Sequence, residues 1–313
     1  MLHLREKGVL TDARAAPLLR VSRAELVPVR AELKTLLYAG VLVAVGGVGK
    51  FVKDYHDRLG PAVIASALGL AALACLVYAF RRSPAFSWSE TVSPHLAADY
   101  LLVLGALLLG SDLAYVERQF RVLGDRWPDH FLVVAVVYFL LAYRFDSRAL
   151  LSLAVSAFAT WRGVSVAMAF QGHEESGFGV LRANALATGA IFLAAGFLSV
   201  RSGRKPHFEK VYVTAGLLLL FGGILSGVMQ PVSSAWLLWE AVLGILGAAV
   251  LAIAWRLQRP IDFAIALAAL WLGVLRLTGE VLKREPLYLA AAVWSIAAIV
   301  VLVRATRRIR ASR

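Results

Sequence analysis

Apolar stretches of roughly 15 to 22 residues recur along the chain between Leu36 and Val303, with charged residues gathered mostly at their ends. A helix of about 20 apolar residues matches a hydrocarbon core of about 30 Å, so each stretch predicts a membrane-crossing helix. Bounded by charge, Gly or Pro, the predicted helices lie near 35–53, 59–80, 97–116, 129–144, 149–170, 181–200, 211–229, 233–255, 261–282 and 287–303. The expected fold class is therefore all-α, a polytopic transmembrane helical bundle of about ten spans. The fourth stretch is short, and the fifth carries Arg162 inside it.

Three segments follow from this layout: a polar segment over 1–34, the bundle over 35–303 and a basic tail over 304–313. The first segment predicts one or two short helices, with Thr11 as an N-cap before Asp12 and with Leu18, Leu19, Val21 and Leu26 on an apolar side. It fits an amphipathic anchor on the inner leaflet, or a docking site for a membrane or cytoplasmic protein partner. Its polar opening is unlike a secretory leader, so no cleavage is expected.

Composition agrees: 60% of residues are hydrophobic, 17% are charged, and the mean hydropathy is +0.72. The net charge of +13 does not indicate nucleic acid, because the basic residues are scattered between apolar runs instead of forming one patch with interleaved aromatics. They act as orientation signals instead. With ten spans and the N-terminus inside, the cytoplasmic face carries more than twice as many Lys and Arg as the outer face, and the richest inner loop holds Arg201, Arg204, Lys205 and Lys210. Both termini are expected in the cytoplasm, and the location is the inner (plasma) membrane. The lone Cys75 sits within an apolar run, which leaves no disulfide framework or thiolate cluster and a packing role.

Ionisable groups inside spans are costly and face a partner, a cavity or a neighbouring subunit. In this orientation Asp112, Glu117, Arg162, Glu240, Arg276 and Glu280 all fall in the outer halves of their spans, joined by Lys50. The pattern predicts a polar vestibule opening outward over a dry inner plug. Arg276 and Glu280 are four apart and share a helix face, as do Trp236 and Glu240. Two readings stand: a substrate or ion site, or groups that snorkel and pair to fix helix packing. His56, His130 and His173, beside several carboxylates on the outer side, are weaker metal candidates because no HxxxH pair occurs. No histidine pair suits a transmembrane haem, and no cofactor is expected. Gly46 to Lys50 fails as a phosphate loop, since Ala44 replaces its first Gly and Phe51 its Ser or Thr. With no HExxH or GxSxG either, enzyme chemistry is disfavoured. Ala39-Gly40 with Gly46-Gly47 is echoed by Ala215-Gly216 with Gly222-Gly223, which fits an internal repeat or the small residues of any close helix contact.

Leu4 to Leu10 leading into Thr11 and Ala15-Ala16, Gly105 to Gly110, Gly124-Asp125, and Asp146-Ser147-Arg148-Ala149-Leu150 occur in an order and spacing that carries a family likeness. Over about residues 4–163 the chain resembles an uncharacterised family of predicted bacterial multi-pass membrane proteins, a domain of unknown function. The family's usual small-polar-aromatic end to the first span is replaced by Gly49-Lys50-Phe51. The resemblance implies the architecture and supplies no catalytic residue. The functional expectation is a small-molecule or ion transporter; a structural or regulatory membrane subunit and an enzyme acting on a lipid-linked substrate are the alternatives.

Overall fold

In the computed structural model, which describes residues 29–91, 96–170, 174–230, 235–281, 293–296 and 298–304, every regular element among those residues is helical. In chain order these are α1 (Val29–Leu59), α2 (Pro61–Arg82), α3 (Leu96–Phe120), α4 (Asp129–Phe145), α5 (Arg148–Ala169), α6 (Glu174–Arg201), α7 (Glu209–Val228), α8 (Trp236–Arg256) and α9 (Pro260–Val281). Eight of them are long and apolar enough to cross a membrane. The exception, α4, has 17 residues and so spans about 25 Å. A shorter apolar helix, Val293–Arg304, follows. About ten helices thus stand where the hydropathy pattern predicts them. The amphipathic reading of Thr11 to Leu26 and most of the basic tail lie outside the described residues.

Several boundaries differ: α1 begins at Val29 and not near 35, α6 begins at Glu174 and not near 181, and the end of α1 also moves. The stretch 54–58, expected as a loop, continues α1 as helix to Leu59. Asp54 and Arg58 are four apart on this last turn, a supportive spacing, and the Arg58 guanidinium lies 6.0 Å from the Tyr55 ring centre. The chain then breaks at Gly60, whose φ of +77° suits a residue without Cβ, and Pro61 starts α2 with its φ already set.

The helices form two compact units. The first holds α1, α2 and α3 as far as Asp112. Its core includes Ile64, Leu68 and Ala72 on α2 and Leu102, Val103 and Ala106 on α3. Gly105 makes the α2–α3 approach possible, since a Cβ there would lie 2.8 Å from the Cys75 Cβ and 3.2 Å from the Ala72 carbonyl oxygen. Cys75 is therefore a packing residue. Tyr38 meets Tyr100 edge-on at 5.1 Å, tying α1 to α3.

The second unit holds Ser83–Pro94 and the chain from Leu113 onward. Helices α6 and α7 cross at Gly189 and Gly216, where a Cβ on either would lie 2.9 Å from the other's carbonyl oxygen. Gly223 faces Leu186 of α6, and Gly227 faces Trp239 of α8. Leu217, Phe221, Ile224 and Val228 of α7 bury themselves with Leu243 of α8 and with Ala266 and Ala269 of α9. The Gly echo is not an echo in packing: Gly216 and Gly223 are helix contacts, whereas Gly40, Gly46 and Gly47 have open space where a Cβ would stand. Gly46 to Lys50 lies within the continuous helix α1, so it forms no phosphate loop.

Successive helices of this unit run back and forth, so the connections gather at two ends. One end carries 83–91, Asp146-Ser147, 202–208 and 257–259; the other carries 121–128 and the start of α8. At the first end, Ser147 caps α5 by accepting from the Leu150 N–H at 3.3 Å, and Arg259 donates to both oxygens of Glu209 at 2.6 and 2.7 Å.

Candidate functional site

Among the residues singled out in the sequence, Trp236, Glu240, Arg276 and Glu280 come together between α8 and α9. Arg276 donates to Glu280, as their spacing predicts, and its guanidinium lies 5.6 Å from the Trp236 ring centre. Glu240 is within electrostatic reach of Arg276. Its Oε1 occupies the space that a Cβ on residue 273 would need, at 2.6 Å, so Gly273 makes room for the carboxylate. Its Oε2 is buried with no hydrogen-bond partner among the described residues. A half-satisfied carboxylate in an apolar helix pair costs energy and marks a place where another group fits.

The other candidates are elsewhere. Arg162 has a buried Nε without a hydrogen-bond partner among the described residues, and its carbonyl accepts from Asn184 Nδ2 at 3.1 Å, joining α5 to α6. Asp112, in the first unit, has a buried Oδ1 without a hydrogen-bond partner among the described residues, while its Oδ2 lies 3.2 Å from the Cβ position of Gly69. Glu117, 7% exposed, accepts from the Leu123 N–H at 3.0 Å and so secures the turn after α3, in which Arg121 and Gly124 have positive φ. It also lines a cavity of about 780 Å³ with Arg118, Arg121, Asp125, His130 and Met168. His130 Nδ1 is 2.5 Å from the Trp127 carbonyl oxygen, and its ring lies against Phe131 at 3.9 Å. Among the described residues no three His, Cys, Asp or Glu side chains are grouped to hold a metal. The side chain of His56 and the whole of His173 lie outside them.

The densest polar cluster was not anticipated. Asp146 follows α4 in the left-handed region at φ 57°, and its carboxylate collects four contacts. Oδ1 is 2.5 Å from His207 Nε2 and 2.9 Å from Lys205 Nζ; Oδ2 accepts from the Thr91 N–H at 2.5 Å and the Thr91 hydroxyl at 3.1 Å. The side chains of Asp146 and Lys205 are each 1% exposed. Burial pushes the Asp146 carboxyl up, but the Thr91 and Lys205 hydrogen bonds and the charges of His207 and Lys205 outweigh it and hold it below the usual carboxylate range. Lys205 is itself at φ 50°; its N–H donates to the Trp88 carbonyl, and its ammonium lies 5.5 Å from Phe86 and 5.9 Å from Phe208. The cluster thus ties the 83–91 segment, the α4–α5 turn and the α6–α7 connection at one end of the second unit. Asp146-Ser147 was legible as a helix boundary, but nothing local to it points to partners 55 to 61 residues away.

Residues 3–151, just under half of the chain, match the family model described as Predicted membrane protein (DUF2157). The resemblance drawn from Leu4 to Leu150 therefore holds, and the match runs through α1 to α4 into the start of α5. No curated protein and no solved structure matches the chain. The family match and the apolar helices agree that this is a multi-pass membrane protein.

Proposed function

We propose that the protein is a small-molecule or ion transporter of the inner (plasma) membrane, with α8 and α9 beside the solute path and Glu240 as the residue that meets the solute. The observation that carries this reading is the unpartnered Oε2 of Glu240, buried where Gly273 clears space for the carboxylate. A carboxylate oxygen only accepts when ionised, so the solute offers an N–H or O–H donor or a positive charge. Arg276 does not neutralise this demand in full, because Glu280 and the Trp236 ring already engage it. The excess of Lys and Arg at the Asp146 end supports placing that end in the cytoplasm, which turns the Glu240 end outward.

The test uses proteoliposomes on a sensor of charge movement, challenged with monovalent cations, small amines, amino acids and sugars. The wild type should give a saturable signal for one class, and Glu240→Gln should lose it at least ten-fold while eluting as the same monodisperse species. An unchanged signal in Glu240→Gln removes that residue from the path, and silence of the wild type toward every class removes transport.

A membrane subunit is the second reading, favoured by α1. Only 6% of its apolar window is buried within the chain, and Gly40 and Gly47, seven apart on one face, stand in open space. A partner helix seated there would be displaced by Gly40→Leu with Gly47→Leu. Retention of a stoichiometric partner by that variant would remove the α1 interface.

A further inference from the structure

At the Asp146 end, a cavity of about 580 Å³ opens between the 83–91 segment and the end of α6. Trp88, Tyr143, Leu198, Ser199, Arg201 and Arg204 line it, with no carboxylate among the described lining residues. Some basic residues at this end are paired and others, Arg256 among them, have no ion pair among the described residues. Arg148 has Glu90, Lys205 has Asp146 and Arg259 has Glu209, whereas Arg201 and Arg204 have no ion pair among the described residues. Two uncompensated guanidiniums in one concavity select an anion, and their planar donors suit phosphate oxygens.

The position of Arg204 is fixed from two sides. Its guanidinium stacks over the Trp88 ring at 5.2 Å, and its carbonyl accepts from the Ser199 hydroxyl at 2.9 Å. The same hydroxyl donates to the Lys205 carbonyl at 2.8 Å, which anchors the connection to the buried Asp146 cluster. The Tyr143 hydroxyl is paired with that of Tyr212 at 3.1 Å, so the arginines are the lining groups left to meet a ligand charge.

The other wall is apolar and belongs to a membrane helix. Ala195 and Leu198 lie in the last turns of the Gly177–Arg201 span, and Ile191 continues the same face one turn away from the cavity. Ile191 and Leu198 are 51% and 59% exposed, so an apolar track leads from the basic cavity along the outside of α6. A basic concavity at a helix end with such a track has the two-part chemistry of a phospholipid: a charged headgroup and an acyl chain.

We propose that this cavity binds a phosphate-bearing anion, and that its source is the headgroup of an anionic phospholipid whose acyl chain lies along Ile191, Ala195 and Leu198. The site is separate from Glu240 and stands whether or not a solute moves there.

The full chain, purified and stripped of lipid in a neutral detergent, is titrated with phosphatidylglycerol, with phosphatidylcholine or with inorganic phosphate while its thermal unfolding is followed. Phosphatidylglycerol should raise Tm saturably and phosphatidylcholine should not. Arg201→Gln with Arg204→Gln should weaken the apparent affinity for phosphatidylglycerol at least ten-fold, and Arg201→Gln alone, which touches no described hydrogen-bond partner, should weaken it in part. Arg256→Gln, an exposed basic residue at the same end but outside the cavity, should leave it unchanged. Equal gains from both lipids, or a gain that survives the double substitution, overturn the proposal. A gain from inorganic phosphate that depends on the arginines and equals that from phosphatidylglycerol makes the anion a soluble one and overturns the lipid assignment. If the double variant fails to fold, the single Arg201 variant decides.

Discussion

Asp146→Asn tests the buried cluster with almost no change in volume. Asparagine can still accept from Thr91, so the loss falls on Lys205 and His207. Lys205 is 1% exposed, and breaking a buried ion pair from one side costs about 3–5 kcal/mol because the other charge stays behind uncompensated. The expected loss is therefore about 3–5 kcal/mol, and with roughly 2–4 °C per kcal/mol for a body of this size, Tm should fall by about 6–20 °C. Thermal unfolding in detergent, followed by circular dichroism, reads this directly. Removing both charges with Asp146→Asn and Lys205→Met should return about 1–3 kcal/mol, since the two sites are in contact. Acidity supplies a second readout. The folded carboxyl lies below its unfolded value of about 4, so its contribution is complete above that pH and is lost as pH falls through the lower, folded value. The Asn variant should lose this acid dependence. A single substitution costing less than about 1 kcal/mol, or a double variant as unstable as the single one, would refute the reasoning.

Gly216→Ala places a Cβ 2.9 Å from the Gly189 carbonyl oxygen, so it should cost about 1–3 kcal/mol by thermal unfolding, whereas Gly222→Ala, with open space, should cost almost nothing. Gly273→Ala would push its Cβ to 2.6 Å from Glu240 Oε1, and it should lower any transport signal while Gly244→Ala, in open space on α8, leaves it intact. After Cys75→Ala, single cysteines at Ser202 and Val122, both exposed, should react with a membrane-impermeant maleimide from opposite sides, Ser202→Cys from the cytoplasm. Labelling of both from one side would sink the alternating layout, and a reversed pattern would sink the proposed orientation.

Helix number and position were legible because a bilayer imposes one strong constraint, length, on every span. The pairing of Arg276 with Glu280 was legible for a similar reason, since four residues make one helical turn. The meeting of Glu240 with Gly273 was not, because which helix faces which is decided by small-residue packing across a fold. Glu117 and His130, candidates in the sequence, also take backbone partners in the turn after α3 and at the start of α4, contacts that no composition displays. Asp146, Lys205 and His207 escaped notice because charged residues in short connections read as solvated, and only the folded chain covers them.

The order of synthesis gives the Asp146 knot a temporal meaning. The ribosome makes the aspartate about 60 residues before the lysine and histidine that pair with it, so a nascent chain halted within α6 holds an acid that has met Thr91 alone among these partners. Completion of the α6–α7 connection closes that gap in a single step. A product truncated before Lys205 therefore lacks the ion pair that closes this end, and a full-length one has it.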